Sequence, residues 1–152
     1  TKWIEAKPIK NLEASTAVSF IRELSFRYGV PHNIIIDNGS NFDSDEFRAF
    51  CASQGTRVHY ASVAHPQSNG QAERANGLIL KGLKPRLLRD LKNAAGAWVN
   101  ELPSVLWGLR TTPNRSTSRT RFFSVYGAEV VLPSDLLHNA PRVELFSETE
   151  AE

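Results

Sequence analysis

Asp37 and Glu73 are the two residues whose types, spacing and surroundings most clearly suggest chemistry in this chain. Asp37 follows the apolar run Ile34–Ile36 and precedes Asn38-Gly39, so its carboxylate should leave the end of a buried strand at a tight turn. Glu73 comes after 35 intervening residues, where a helical pattern begins and the helix dipole favours an ionised carboxylate. Carboxylates held in this way are suited to bind the divalent metal ions of a phosphoryl-transfer site.

Each of the two acids also has an ordinary structural explanation. Asp37 could be the first residue of a plain Asp-Asn-Gly turn, because short polar side chains hydrogen-bond their own backbone there. Glu73 could be a surface acid that stabilises the start of a helix. Taken singly, each ordinary explanation is the more common one in proteins. Only the occurrence of both acids in these surroundings favours a metal site.

The apolar positions predict an alternation of strands and helices along most of the chain. Alternating apolar residues or short apolar runs indicate strands, and apolar residues at helical spacing indicate helices. The predicted strands are residues 1–9, 33–37 and 56–60, and the predicted helices are about 12–28, 43–54, 70–84, 94–109 and 122–126. Asp43 and Glu46 resemble a capping box, whereas Pro85 should interrupt its helix or start a new one. This order is typical of an α/β layered structure in which helix-connected strands are parallel.

The composition indicates one soluble globular domain. The 152 residues are 41% hydrophobic and 22% charged, which is typical of globular proteins. No apolar run approaches the length of a membrane-spanning helix, so we expect no membrane contact. Cys51 is the only cysteine, which excludes an internal disulfide and a structural zinc site and is typical of an intracellular protein. The tryptophans fall on apolar stripes, so we assign Trp3, Trp98 and Trp107 to the core.

Basic residues are concentrated in two stretches, 74–92 and 110–121, although the net charge is only +2. Such stretches beside a carboxylate pair suggest a phosphate-bearing partner, but on charge alone a solvated helix face is the favoured explanation. Lys81 and Lys84 lie in the first stretch. Lys84 comes 11 positions after Glu73, roughly three helical turns, and therefore shares its face. Phosphate binding and plain solvent exposure both remain open for these lysines.

Longer motifs surround both acids and resemble one family. IIIDNGSNF at 34–42 and AHPQSNGQAERANG at 64–77, with the interval between the acids, resemble the integrase catalytic core of retroviruses and LTR retrotransposons, most closely the gypsy type. Further matching segments are TKWIEA at 1–6, RYGVP at 27–31, LWGLRTTPNRST at 106–117 and FFSVYGAEVVLP at 122–133. The resemblance therefore covers nearly all of residues 1–133, a partial integrase core. Residues 134–152 form a C-terminal extension, whose acidic tail we expect to be disordered.

The resemblance implies a ribonuclease H-like fold, with helices on a mixed sheet, and a DDE transferase. Such enzymes use Mg²⁺ or Mn²⁺ to trim the 3′ ends of element DNA and to join them to target DNA. Asp37 matches the second metal-binding catalytic acid of the family and Glu73 matches the third. Asn69 and Gly70 match a loop that contacts DNA ends, although Asn69 could equally be a plain helix cap. The intact enzyme would form a homo-oligomer in the nucleus.

The chain departs from the family pattern in two places. The first catalytic acid of the family lies upstream of the segment that matches TKWIEA, so we expect this chain to lack the first two strands and that acid. We therefore expect a polyprotein fragment that is inactive alone and marginally folded, with the apolar edge at Ile34–Ile36 left unpaired. Arg121 stands where the family usually has proline. We expect this change to alter only the start of the last helix.

Two other functions fit the same residues. The first is a non-catalytic remnant of a transposable element that binds nucleic acid or forms oligomers. The second is a ribonuclease H-type nuclease that cleaves nucleic acid without joining it. The loop motif and the interval between the acids argue against the nuclease.

Overall fold

The computed structural model describes residues 1–37, 42–61, 70–88 and 94–138, without the side chains of residues 94 and 95. Its elements are helix α1 (Ala14–Tyr28), strand β1 (Asn33–Ile36), helix α2 (Asp45–Ser53), strand β2 (Arg57–Tyr60), helix α3 (Gly70–Leu87), helix α4 (Ala94–Thr111), helix α5 (Arg121–Tyr126) and helix α6 (Pro133–Leu137). The chain divides into two compact units. The larger unit is Glu5–Pro103, and the smaller unit comprises Thr1–Ile4 and the chain from Ser104 onward.

Strands β1 and β2 form a parallel pair in the larger unit, as the helix between them predicts. Ile36 lies opposite Tyr60 in the register. The ladder has one further hydrogen bond at each end of the strand pair. The Arg57 amide donates to the His32 carbonyl at 2.9 Å, and the Ala61 amide donates to the Ile36 carbonyl at 2.8 Å. Among the described residues these two strands are the whole sheet. The open edge predicted for β1 is therefore present in this part of the chain.

The core of the larger unit lies between one face of this sheet and helices α1 and α2. Its buried residues are Ala17, Val18, Ile36, Phe47 and Cys51. Alternation along β1 turns Ile34 and Ile36 toward this core, and leaves Ile35 56% exposed on the other face. Helix α2 is capped by Ser44, whose side chain accepts a hydrogen bond from the Phe47 amide at 3.2 Å. The N-cap is therefore Ser44, one residue after the predicted Asp43.

The strand predicted at residues 1–9 is wrong, because these residues have no regular secondary structure. A strand needs a neighbouring backbone to satisfy its amides and carbonyls, and here arginine side chains satisfy two of the carbonyls. Arg110 donates to the carbonyl of Ile4 at 2.9 and 3.2 Å, and Arg121 donates to the carbonyl of Lys2 at 2.9 Å. Arg121 therefore binds the N-terminal segment of the smaller unit, a role that the sequence did not indicate.

Two further predictions about helices need correction. Pro85 does not interrupt α3, which continues to Leu87. A proline this close to a helix end removes only one hydrogen bond of the ladder. Helix α6 was not predicted at all. Helix α5 ends before Gly127 as expected, and this glycine has the left-handed conformation (φ 76°) of a helix C-cap.

The core assignment is wrong for Trp107, whose surface is 43% exposed. It follows Leu106, which is buried, and one step along a helix turns a side chain by about 100° away from the buried face. Trp3 and Trp98 are half-buried. In the smaller unit, Trp3 packs edge-on against Tyr126 with ring centroids 5.7 Å apart.

No helix in the four described ranges is both long and apolar enough to cross a membrane.

Candidate metal and nucleic-acid site

Asp37 lies directly after β1, at the carboxyl end of the parallel strand pair, and is exposed. The chain reaches this point through Ile36, which is buried, so the position of the Asp37 backbone is fixed by the core. Ligands of open α/β sheets bind outside the carboxyl ends of the strands. The predicted position of Asp37 at a strand end is therefore confirmed, whereas its role as a metal ligand stays a prediction.

Glu73 lies in the first turn of α3, which begins at Gly70. Its side chain is exposed, and the helix dipole at this end stabilises a negative charge. Both acids belong to the larger unit. Asn69, the other residue predicted in the preceding loop, lies outside the described residues.

The chain segments that follow the two acids border a common groove in the larger unit. Phe42 is five residues after Asp37, and Asn76 is three residues after Glu73. Both line a groove of about 280 Å³ together with residues of the 5–9 segment and α1. Asn76 lies within one helical turn of Glu73, so the first turns of α3 and Phe42 line the same groove. Joint binding of one ion by both acids remains a prediction.

The chemistry of the two acids fits a hard divalent cation. Carboxylate oxygens are the ligands that Mg²⁺ and Mn²⁺ prefer, and both side chains are accessible to solvent. Within the described residues no group of three or more histidine, cysteine, aspartate or glutamate side chains could hold a metal. Metal binding by Asp37 and Glu73 stays a prediction. When bound, the ion would polarise a phosphate and activate the attacking oxygen.

Lys81 and Lys84 are exposed on α3. Because α3 is continuous from Gly70 to Leu87, Lys84 stays on the face of Glu73, about 16 Å further along the helix axis. Lys84 also borders a second groove, of about 590 Å³, which is lined mainly by apolar residues of α3 and α4, including Leu83 and Leu102. Its aliphatic stem can therefore cover apolar surface while the ammonium group remains in water. Phosphate binding by either lysine stays a prediction.

Sequence reasoning missed a polar network at the carboxyl end of β2. The Tyr60 network, as we call it, consists of Asp43, Arg48 and Tyr60. The Tyr60 hydroxyl donates to Asp43 Oδ1 at 2.6 Å, and Arg48 Nη1 donates to the Tyr60 hydroxyl at 3.1 Å. Arg48 also forms ion pairs with Asp43 and Asp45. No spacing in the sequence indicates this network, because it depends on how β2 pairs with β1.

Comparisons with known proteins relate this chain to integrases. The family called TnsB C-terminal domain matches residues 18–88. The chain is 34% identical to the Gag-Pol polyprotein of feline leukemia virus over 128 residues, which are 83% of this chain but only 7% of that polyprotein.

The chain is also similar in fold to solved integrase structures. The HTLV-2 integrase catalytic core domain in complex with magnesium, in its trimeric form, has a TM-score of 0.60 and 25% identity, over 76% of this chain and 71% of the solved one. An intasome of simian T-cell lymphotropic virus, solved with PP2A regulatory subunit B56 gamma, has a TM-score of 0.71 and 24% identity. That likeness covers 86% of this chain and 46% of the solved one.

The fold is therefore that of the ribonuclease H-like class. Within this class, the chain is homologous to the catalytic cores of retroviral integrases. It spans a small part of the length of the polyproteins that it matches.

Proposed function

We propose that this chain is part of the catalytic core of a gypsy-type integrase, which processes the 3′ ends of element DNA and joins them to target DNA. The observation that carries the proposal is the location of the two acids. Asp37 lies at the carboxyl end of β1 and Glu73 in the first turn of α3, in a chain that is homologous to integrase cores.

In this proposal, Asp37 and Glu73 bind Mg²⁺ or Mn²⁺, and DNA is the partner. Gly70 and Asn69 would contact DNA ends, while Lys81 and Lys84 would bind backbone phosphates along α3, a contribution that weakens as salt is added. The HTLV-2 integrase catalytic core, solved in a trimeric and in a dimeric form, supports a homo-oligomer. A nuclear location of the intact enzyme belongs to the same proposal.

We expect no strand transfer by this chain alone. A two-metal site holds both the attacking and the leaving oxygen, and a pair of carboxylates provides few ligands for two ions. The activity therefore belongs to the intact enzyme, in which further ligands complete the site.

The test is to titrate the full chain with Mn²⁺ and to detect binding by the paramagnetic broadening of backbone amide signals in NMR spectra. We expect broadening centred on Asp37 and the start of α3, and its loss in Asp37→Asn and Glu73→Gln. Glu46→Gln is the matched control, because Glu46 is an exposed acid in the first turn of α2. Its removal should leave the broadening unchanged. Equal broadening in all variants would contradict the proposed site.

Two nucleic-acid assays separate the proposal from its alternatives. DNA binding that persists without any metal binding at Asp37 and Glu73 would favour a non-catalytic binding module. Metal-dependent cleavage of nucleic acid with no joined product would favour a nuclease of the ribonuclease H type. Strand transfer by the chain alone would overturn our expectation that it is inactive.

A further inference from the structure

The Tyr60 network connects two segments that are distant in sequence: one follows Asp37, and the other leads to Glu73. Tyr60 is the last residue of β2, and Asp43 precedes α2. Their hydrogen bond of 2.6 Å therefore ties the carboxyl end of β2 to the segment between Asp37 and α2. Phe42, which precedes Asp43, is anchored in turn by edge-to-face packing on the buried Phe47, with ring centroids 5.4 Å apart.

The network also lies next to the last hydrogen bond of the strand ladder. Tyr60 is opposite Ile36 in the register, and the next residue, Ala61, donates its amide to the Ile36 carbonyl at 2.8 Å. Asp37 follows Ile36 directly, and the chain from Ala61 leads to α3, which carries Glu73. The two chain segments that lead to the acids thus begin side by side, next to Tyr60.

Burial does not explain the network. The side chains of Arg48 and Asp43 are 44% and 43% exposed, and Tyr60 is 42% exposed, and exposed ion pairs contribute little to stability. A phenylalanine at position 60 would cover the same apolar surface. What the tyrosine adds is a hydroxyl that donates to Asp43 and accepts from Arg48, so its orientation is set from both sides.

Arg48 keeps its charge over the whole working range of pH. Its hydrogen bonds to Asp45 and Tyr60 raise the pKa of its guanidinium group. The network therefore has one permanent cation that holds the hydroxyl and the carboxylate together.

We propose that Asp43, Arg48 and Tyr60 are positioning residues, which hold the start of α2 against the carboxyl end of β2 and so steady the ladder bond from Ala61 to Ile36 that places Asp37. This inference rests on the proposed function, because it assigns the network a role at that site. Metal ligands must be held within a fraction of an ångström of their working geometry by the residues that support them.

The experiment compares Tyr60→Phe with Asp45→Ala in the full chain. The first variant removes only the hydroxyl of the network, whereas the second removes an Arg48 contact that does not involve Tyr60. Amide hydrogen exchange is measured at Ala61, beside the network, and at Arg57, at the other end of the ladder. Mn²⁺ affinity is measured in the same samples from the broadening at Asp37.

In Tyr60→Phe we expect exchange at Ala61 to become about fivefold faster and Mn²⁺ binding to become weaker by a similar factor, because the variant loses both hydrogen bonds of a solvent-exposed hydroxyl. Exchange at Arg57 should stay unchanged, which excludes a general loss of stability. Asp45→Ala should change neither the exchange rate at Ala61 nor the Mn²⁺ affinity measured at Asp37. Arg48→Lys keeps the positive charge but lacks the planar guanidinium group with its several N–H donors. Its effects on Ala61 exchange and on Mn²⁺ affinity should therefore lie between those of wild type and Tyr60→Phe.

Two results would overturn the inference in different ways. Mn²⁺ binding that depends on Asp37 but is equal in wild type and Tyr60→Phe contradicts the positioning role alone. Mn²⁺ binding that does not depend on Asp37 contradicts the proposed function, and the positioning role fails with it.

Discussion

Phe47 and Cys51 show how single residues determine the larger unit. They lie one turn apart on α2, and their exposed fractions are 0% and 1%. Phe47 receives the ring of Phe42 on one side, so it links the core to the segment that follows Asp37. Burial raises the pKa of the Cys51 thiol, because a thiolate would lose its hydration there. Cys51 is therefore a packing residue that stays protonated.

This shift predicts a specific loss of stability at alkaline pH. Above about pH 8.5, the ordinary thiol pKa, the unfolded chain loses the Cys51 proton while the folded chain keeps it. The free energy of unfolding should then fall by up to about 1.4 kcal/mol per pH unit, until the raised pKa of the folded state is reached. Urea unfolding at pH 7 and pH 9.5 measures this, and Cys51→Ala should be less stable at pH 7 but less sensitive to pH. An equal pH dependence in both proteins would contradict the assignment.

At the scale of elements, short helices in this chain depend on their caps. Helix α5 has only six residues, too few to be stable without tertiary contacts and capping. Thr120 caps it by accepting from the Phe123 amide at 2.9 Å, and its hydroxyl donates to Glu129 at 2.7 Å. Thr120 is itself buried, at 5% exposure, so its hydroxyl cannot exchange these partners for water.

Thr120→Ala should therefore destabilise the smaller unit by about 1–2 kcal/mol, the usual cost of losing a buried cap. Thr120→Ser keeps the hydroxyl and is the matched control, with a smaller loss expected. Urea unfolding followed by tryptophan fluorescence is a suitable measurement, since Trp3 packs against Phe122 and Tyr126 of α5. Equal stability of the alanine and serine variants would mean that the cap contributes nothing.

At the scale of the whole molecule, the part of the chain that the structure describes covers the sheet on one face only. Parallel strands are ordinarily buried on both faces, yet Asn33, Ile35, Arg57 and His59 are exposed opposite the core face. The other edge of β1 has no partner strand within the described residues. An apolar residue beside an unpaired strand edge favours pairing with another chain.

We therefore expect the isolated chain to self-associate through this sheet. Ile35→Thr keeps a β-branched side chain but lowers the apolar exposure, so it should raise the concentration at which oligomers form, by roughly tenfold. Sedimentation equilibrium over a range of concentrations measures this. Ile9→Thr is the control, because Ile9 is also exposed, at 42%, but lies outside the sheet. A purely monomeric chain, or an equal effect of both variants, would contradict this prediction.

Much of the larger unit could be predicted because its signals are local. The stripe of apolar residues in α1 and the run Ile34–Ile36 each indicate one element without reference to any other. The resemblance around Asp37 and Glu73 then indicated the fold class that the comparisons confirm. The strand predicted at residues 1–9 failed for the opposite reason, since a strand exists only where a second backbone lies beside it.

By itself, the sequence determined the order of the elements from α1 to α5, the location of Asp37 at a strand end, and the location of Glu73 in the first turn of a helix. Only the tertiary structure decided that Arg110 and Arg121 hold the N-terminal segment, that Ser44 rather than Asp43 caps α2, and that Tyr60 meets Asp43 and Arg48. The reason is physical. Helix and strand periodicity is a property of neighbouring residues, whereas these contacts depend on strand register and packing between residues that are distant in sequence.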